Sequence, residues 1–289
     1  MTILWTLVIV FGLIAVPAAA RTGINIVAAE NFYADVAQQI AGSHALVNSI
    51  MSNPNQDPHL FEASPAVSRL LTGATIVVYN GADYDPWMPK LLTGAKSPGR
   101  QIIVVADLVH RKPGDNPHVW YDPPTMPAYA TALAAALTQL DPANNDDYGH
   151  SLDVFLTSLR QVDAKITELR QRFDGAPVSA TEPVFGYMAT ALGFKMRNER
   201  FQLAVMNNAE PRPSDVAAFE NDLRKRSVRL LLYNSQATDP AAERLKVIAE
   251  RAQIPIVGVT ETEPAGRHYQ GWMLEELDAI GHAVASGPP

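Results

Sequence analysis

Two loops of this chain place a histidine directly after a proline. His59 lies in Asn55-Gln56-Asp57-Pro58-His59-Leu60-Phe61-Glu62-Ala63-Ser64-Pro65, and His118 in Asn116-Pro117-His118-Val119-Trp120-Tyr121-Asp122-Pro123. A neutral imidazole is a common metal ligand. A preceding proline fixes the backbone beside it and lowers the entropy lost in presenting the ring. Either histidine alone fits an ordinary hydrogen-bonded side chain. Two such loops at equivalent places in successive strand–helix units point to paired metal ligands. His44, His110, His150 and His282 sit at element margins and read as surface residues, whereas His268 lies beside an acidic loop and reads as a group supporting the site.

Carboxylates must complete such a site, because the chain has no cysteine. That absence removes thiolate ligands, disulfides, iron–sulfur clusters and cysteine nucleophiles. Glu182, in Thr181-Glu182-Pro183, follows an apolar strand and precedes a helix, where it could face a pocket or favour the helix dipole. Thr260-Glu261-Thr262-Glu263-Pro264 follows the last strand in the same way, with one glutamate facing the site and the other solvated. Two imidazoles with two carboxylates form a nitrogen–oxygen donor set suited to Zn²⁺, Mn²⁺ or Fe²⁺ as bound ion. The chain carries no Gly-x-Ser-x-Gly elbow, Gly-rich phosphate loop or His-Glu-x-x-His pair. The expectation is a non-enzyme, with a metal-dependent hydrolase using the same histidines and glutamates as the alternative.

The elements that must position these loops alternate. Strands are expected at 24–28, 46–51, 75–79 and 101–105, with helices between them and a further helix at 123–140. The second half repeats the pattern, with strands at 178–181, 201–205, 229–233 and 254–259. Alternation of this kind implies an α/β fold with parallel sheets flanked by helices. Leu152, Phe155, Leu156, Leu159, Val162, Ile166, Leu169 and Phe173 are spaced by threes and fours, one face of a long rigid helix between the two halves. The expected division is a signal peptide at 1–20, a first lobe at 21–142, a linking helix at 143–175 and a second lobe at 176–289. The first 20 residues are apolar and uncharged and end in Pro17-Ala18-Ala19-Ala20, a small-residue cleavage pattern. Without a cysteine to lipidate, the mature protein is expected to be free in the periplasm, with no membrane anchor. The formal net charge of −7 disfavours nucleic acid as a partner.

Together, the two histidine loops and the segment Asn80-Gly81-Ala82-Asp83-Tyr84-Asp85-Pro86-Trp87 resemble the zinc- and manganese-binding solute-binding proteins of ABC importers. The resemblance spans nearly the whole chain after residue 20. It implies two α/β lobes joined by one long helix, with a divalent metal ion held between them as cargo. It also implies delivery to an importer permease in the inner membrane, by a monomer. Carried over by motif, His59 and His118 are the first two ligands, Glu182 the third and Glu261 the fourth, with Glu263 as fallback. The histidine-rich acidic loop of many zinc members is absent and the third ligand is Glu rather than His, which tilts the expected cargo toward Mn²⁺ or a mixed-metal site and leaves Zn²⁺ open, since Zn²⁺ out-competes Mn²⁺ on such ligands.

Overall fold

Strand-forming runs such as Ile-Val-Val-Tyr and Leu-Leu-Leu-Tyr-Asn are apolar without alternation, as strands covered by helices on both faces must be. The computed structural model describes residues 23–53, 61–207, 209–237 and 240–288. The signal-peptide reading of residues 1–20 and the ligand reading of His59 both lie outside the described residues.

The first half runs β1 (Ile24–Glu30), α1 (Asn31–Ala41), β2 (Ala45–Met51), α2 (Pro65–Thr72), β3 (Ile76–Tyr79), α3 (Trp87–Gly94), β4 (Gln101–Val104), the single turn α4 (Val105–Leu108) and α5 (Thr125–Leu140). The helix α6 (Asn145–Phe173) follows. The second half runs β5 (Pro177–Ala180), α7 (Gly186–Ala191), β6 (Lys195–Arg197), α8 (Glu199–Met206), α9 (Pro213–Arg224), β7 (Leu230–Asn234), α10 (Pro240–Arg251), β8 (Ile256–Val259) and α11 (Tyr269–Ser286). Each half forms a four-stranded sheet, in the orders β2-β1-β3-β4 and β6-β5-β7-β8, with every pairing parallel. The expected fold class is therefore the observed one. In both sheets the strand order reverses beside the first strand of the half, between β1 and β3 and between β5 and β7, and loops at the carboxyl ends of strands around such a switch point form a binding crevice.

One strand expectation is corrected. Residues 201–205 lie within the helix α8, and the edge strand is the polar tripeptide Lys195–Arg197. Alternation in Phe-Gln-Leu-Ala-Val fits a strand over five residues, but Phe201 and Gln202 are both buried and Leu203 is exposed, a helical distribution. An edge strand of three residues carries too little apolar pattern to be read.

The spine α6 has 29 residues, so it extends about 43 Å at 1.5 Å per residue. Phe155, Leu159, Val162, Ile166, Leu169 and Phe173 form its buried stripe. Asp146 and Asp147 lie in its first turn and Arg170 and Arg172 in its last, each favourable for the helix dipole. The spine packs on α5 and on α11. A Cβ added at Gly281 of α11 would lie 2.7 Å from Leu169 Cδ2, so glycine permits that approach. One hydrophobic core continues through both halves, from Ile26, Phe32 and Trp120 to Phe185, Trp272 and Val284. Among the described residues no helix is long and apolar enough to cross a membrane.

Candidate metal centre

His118 follows the Asn116-Pro117 pair and leads into a short turn of 3-10 helix, Val119–Tyr121. Its loop is held from below. The Asp85 carboxylate accepts hydrogen bonds from the backbone N–H groups of Asn80 (2.6 Å) and Gly81 (2.9 Å). The Asn80 amide, whose oxygen accepts the Tyr33 hydroxyl, donates to the Pro117 carbonyl at 2.8 Å. To wrap around Asp85 the loop takes Ala82 and Asp83 into the left-handed region, at φ 49° and 65°. The segment read as a family motif thus acts as a bracket for the histidine loop.

The His118 ring is 1% exposed and has Trp120 and Tyr84 edge-on to it. Asn116 Oδ1 lies 2.6 Å from Nδ1 and also accepts the His118 backbone N–H at 3.1 Å. Nδ1 must therefore carry a proton, and the tautomer this selects is the one whose lone pair is on Nε2. Nε2 is buried, has no hydrogen-bond partner among the described residues and lies 3.5 Å from Glu261 Oε2.

Glu182 stands at the end of β5 and Glu261 just beyond β8; they are 6% and 0% exposed. Both reach Asn234 at the end of β7. Its Nδ2 donates to Glu182 Oε2 at 3.0 Å and to Glu261 Oε1 at 2.5 Å, while its Oδ1 accepts the Gln236 N–H. The Gln236 side chain accepts the backbone N–H of both Glu261 and Thr262 and donates to the Thr262 hydroxyl. The Asn234-Ser235-Gln236 segment is thus a jig for the two acids. The Glu263 backbone exchanges two hydrogen bonds with the Asn31 side chain. Burial, with a smaller contribution from Asp35, pushes its carboxyl up to about 9. His268 is 73% exposed and pairs with Asp35 at 2.6 Å, so it supports the junction of α1 and α11.

The described structure thus pairs His118 with Glu261 and ties Glu261 to Glu182 through Asn234. Among the described residues no three histidine, aspartate or glutamate side chains are grouped so that they could hold a metal ion. Three features have little signal in sequence. Asn116 holds the His118 ring. The Tyr84 hydroxyl is buried, and burial followed by the charges of Glu261 and Glu30 raises its pKa. Glu30, at the end of β1, is fully buried beside Asp85; burial first, then the Asp85 charge, holds its carboxyl well above the usual range. Asp85 is itself raised to about 6 by burial. Only the Asn-Pro-His tripeptide hints at the first of these.

Two parallel-sheet lobes on a continuous helical spine, with polar strand-end loops meeting between them, have the architecture of a spine-linked solute-binding protein. The chain belongs to the family of the zinc-uptake complex component A, periplasmic, whose model matches residues 26–283. The metal ABC transporter substrate-binding lipoprotein ScbA of Streptococcus cristatus is 24% identical, over 91% of this chain and 89% of that protein. The manganese ABC transporter substrate-binding lipoprotein PsaA of Streptococcus anginosus shows the same identity and the same coverage. The periplasmic zinc binding protein TroA of Treponema pallidum shares the fold at a TM-score of 0.76 and 20% identity, over 90% of this chain and 99% of that one.

The expectation of a protein without a lipid anchor is contradicted by the two streptococcal relatives, which are named lipoproteins. The absence of cysteine bears only on attachment through a thiol of these 289 residues and sets no compartment. A periplasmic or extracellular location fits the family.

Proposed function

We propose that the protein captures a divalent transition-metal ion between its lobes, as a monomer, and hands it to the permease of an ABC importer. The ligands in this reading are His59, His118, Glu182 and Glu261. The observation that carries it is the buried Nε2 of His118, with Nδ1 committed as a donor, facing a carboxylate oxygen of the other half at 3.5 Å. A buried imidazole nitrogen beside a carboxylate of the other half is a pairing that supports a bound cation there. His59 rests on its sequence motif alone. Glu261 is preferred to Glu263 because it is the acid beside His118, whereas the backbone of Glu263 is tied to the Asn31 side chain of α1.

In this reading the moving units are residues 21–142 and 176–289, with 143–175 as the spine between them. The donor set of nitrogen and oxygen suits Mn²⁺ and Zn²⁺, and Zn²⁺ binds the more tightly of the two by the general order of divalent affinities. The named relatives are substrate-binding components. That supports the ion as cargo and gives no support to hydrolysis.

The test is calorimetric titration of the metal-free chain with Zn²⁺ and Mn²⁺. One ion should bind per chain, and His118→Ala and Glu261→Ala should each abolish tight binding. Unchanged affinity in either variant overturns the assignment.

A further inference from the structure

Asn116 touches more than the histidine it holds. Its Oδ1 accepts two N–H groups of His118, so its Nδ2 is turned the other way and donates to the Pro183 carbonyl at 2.8 Å. The amide orientation is unambiguous, since the flipped group would set an NH₂ against two N–H donors and an oxygen against a carbonyl. Pro183 is the residue after Glu182, in the opposite half. The Tyr187 hydroxyl, also from that half, donates to the Asn116 backbone carbonyl at 2.7 Å. The Arg111 guanidinium lies 4.6 Å from the centre of the Tyr187 ring. A single side chain therefore links the ring of one proposed ligand to the loop of another across the cleft.

We infer that Asn116 is a positioning residue that makes the metal-ready state of His118 depend on contact between the lobes. With the lobes docked, the amide is fixed at both ends, Nδ1–H is held and Nε2 presents its lone pair. When the Pro183 carbonyl withdraws, the amide loses the bond that fixes its plane. The His118 ring is then free to change tautomer and to rotate. Lobe separation thus weakens a ligand at the same moment as it moves Glu182 away. Capture and release become more sharply divided than four independent side chains would make them. This inference rests on the reading of His118 and Glu182 as ligands.

Gly186 offers a way to test the contact without touching a ligand. A Cβ added there would lie 2.9 Å from Asn116 Nδ2 and nothing else within 4 Å. The amide is the free end of a side chain, so Gly186→Ala displaces it at little cost to the fold. Asn116→Asp keeps an acceptor for His118 but has no donor for the Pro183 carbonyl. Asn116→Ala removes both.

The experiment measures the rate at which Zn²⁺ leaves the full-length chain on mixing with excess chromophoric chelator. It is paired with ¹⁵N shifts of the His118 ring in the metal-free protein. Asn116→Ala should release Zn²⁺ about 10- to 100-fold faster, the usual cost of losing a group that orients a metal ligand. Gly186→Ala and Asn116→Asp should both release it faster than wild type by about tenfold. The ring nitrogens should report a fixed Nδ1–H tautomer in wild type and a tautomer mixture in Asn116→Ala. Wild-type release rates in Gly186→Ala and Asn116→Asp overturn the cross-lobe link. Metal binding that survives His118→Ala overturns the ligand reading and the link with it, so the two failures are told apart.

Discussion

A neutral amide between two carboxylates is the central device of the second half's contribution. Asn234 spends both amide hydrogens on Glu182 and Glu261, so two acids that would repel are held in one geometry without adding charge. A hydrogen bond to a charged acceptor contributes more than a neutral one, and a buried acceptor stripped of its donor costs about 1–3 kcal/mol. Asn234→Ala should therefore lower the stability of the metal-free chain by about that amount in urea unfolding. It should also weaken Zn²⁺ binding by about 10- to 100-fold in calorimetry. Unchanged Zn²⁺ affinity in a stably folded variant means the acids need no such bridge. The acids themselves were legible in sequence, because each directly follows an apolar strand and precedes a proline or polar turn. Asn234 was legible as a polar residue after a strand, but its double donation was not, since it depends on two loops that meet only in the folded chain.

Apolar periodicity reveals an element that buries a continuous stripe, as α6 does. It misleads at 195–205, where a three-residue edge strand is polar and a short helix mimics alternation. Close approaches between elements leave a weaker trace, a small residue with no evident turn to make. Gly281 is such a residue: it sits inside α11, where glycine is unfavourable by about 1 kcal/mol relative to alanine, and it lets Leu169 of the spine come close. Gly281→Ala gains helix propensity but forces a methyl to within 2.7 Å of Leu169 Cδ2. Overpacking of this kind costs about 1–3 kcal/mol, which outweighs the propensity gain. The variant should melt below wild type, and adding Leu169→Val should restore part of the loss. A rise in melting temperature for Gly281→Ala would mean that α11 can slide on the spine.

The two halves do not meet through polar loops alone. Tyr121 of the first half packs edge-on against Phe185 and Trp272 of the second, with ring centroids 5.0 and 5.6 Å apart, so separating the lobes exposes aromatic surface. Inside this seam lies Glu276 of α11. Its carboxylate accepts the Tyr121 hydroxyl at 2.7 Å, the Trp272 indole N–H at 2.9 Å and the Thr260 N–H at 3.3 Å. Burial raises its pKa from 4.5 to about 7, against the lowering effect of these donors. The folded chain therefore holds this proton more tightly than the unfolded chain does. Its contribution to stability is complete below pH 4.5, is lost as pH rises toward about 7, and stays lost above that. At 1.36 kcal/mol per unit, the loss is on the order of 3 kcal/mol. Glu276→Gln keeps a carbonyl acceptor for Trp272 and Thr260 and cannot ionise. Urea unfolding of metal-free wild type and variant at about pH 5 and about pH 8 isolates the effect from the other buried acids. The variant should gain on wild type between the two conditions by on the order of 3 kcal/mol. An equal stability difference at both pH values would mean that Glu276 does not change charge in the seam. In that case its three donors fix it as a permanent anion holding the lobes together.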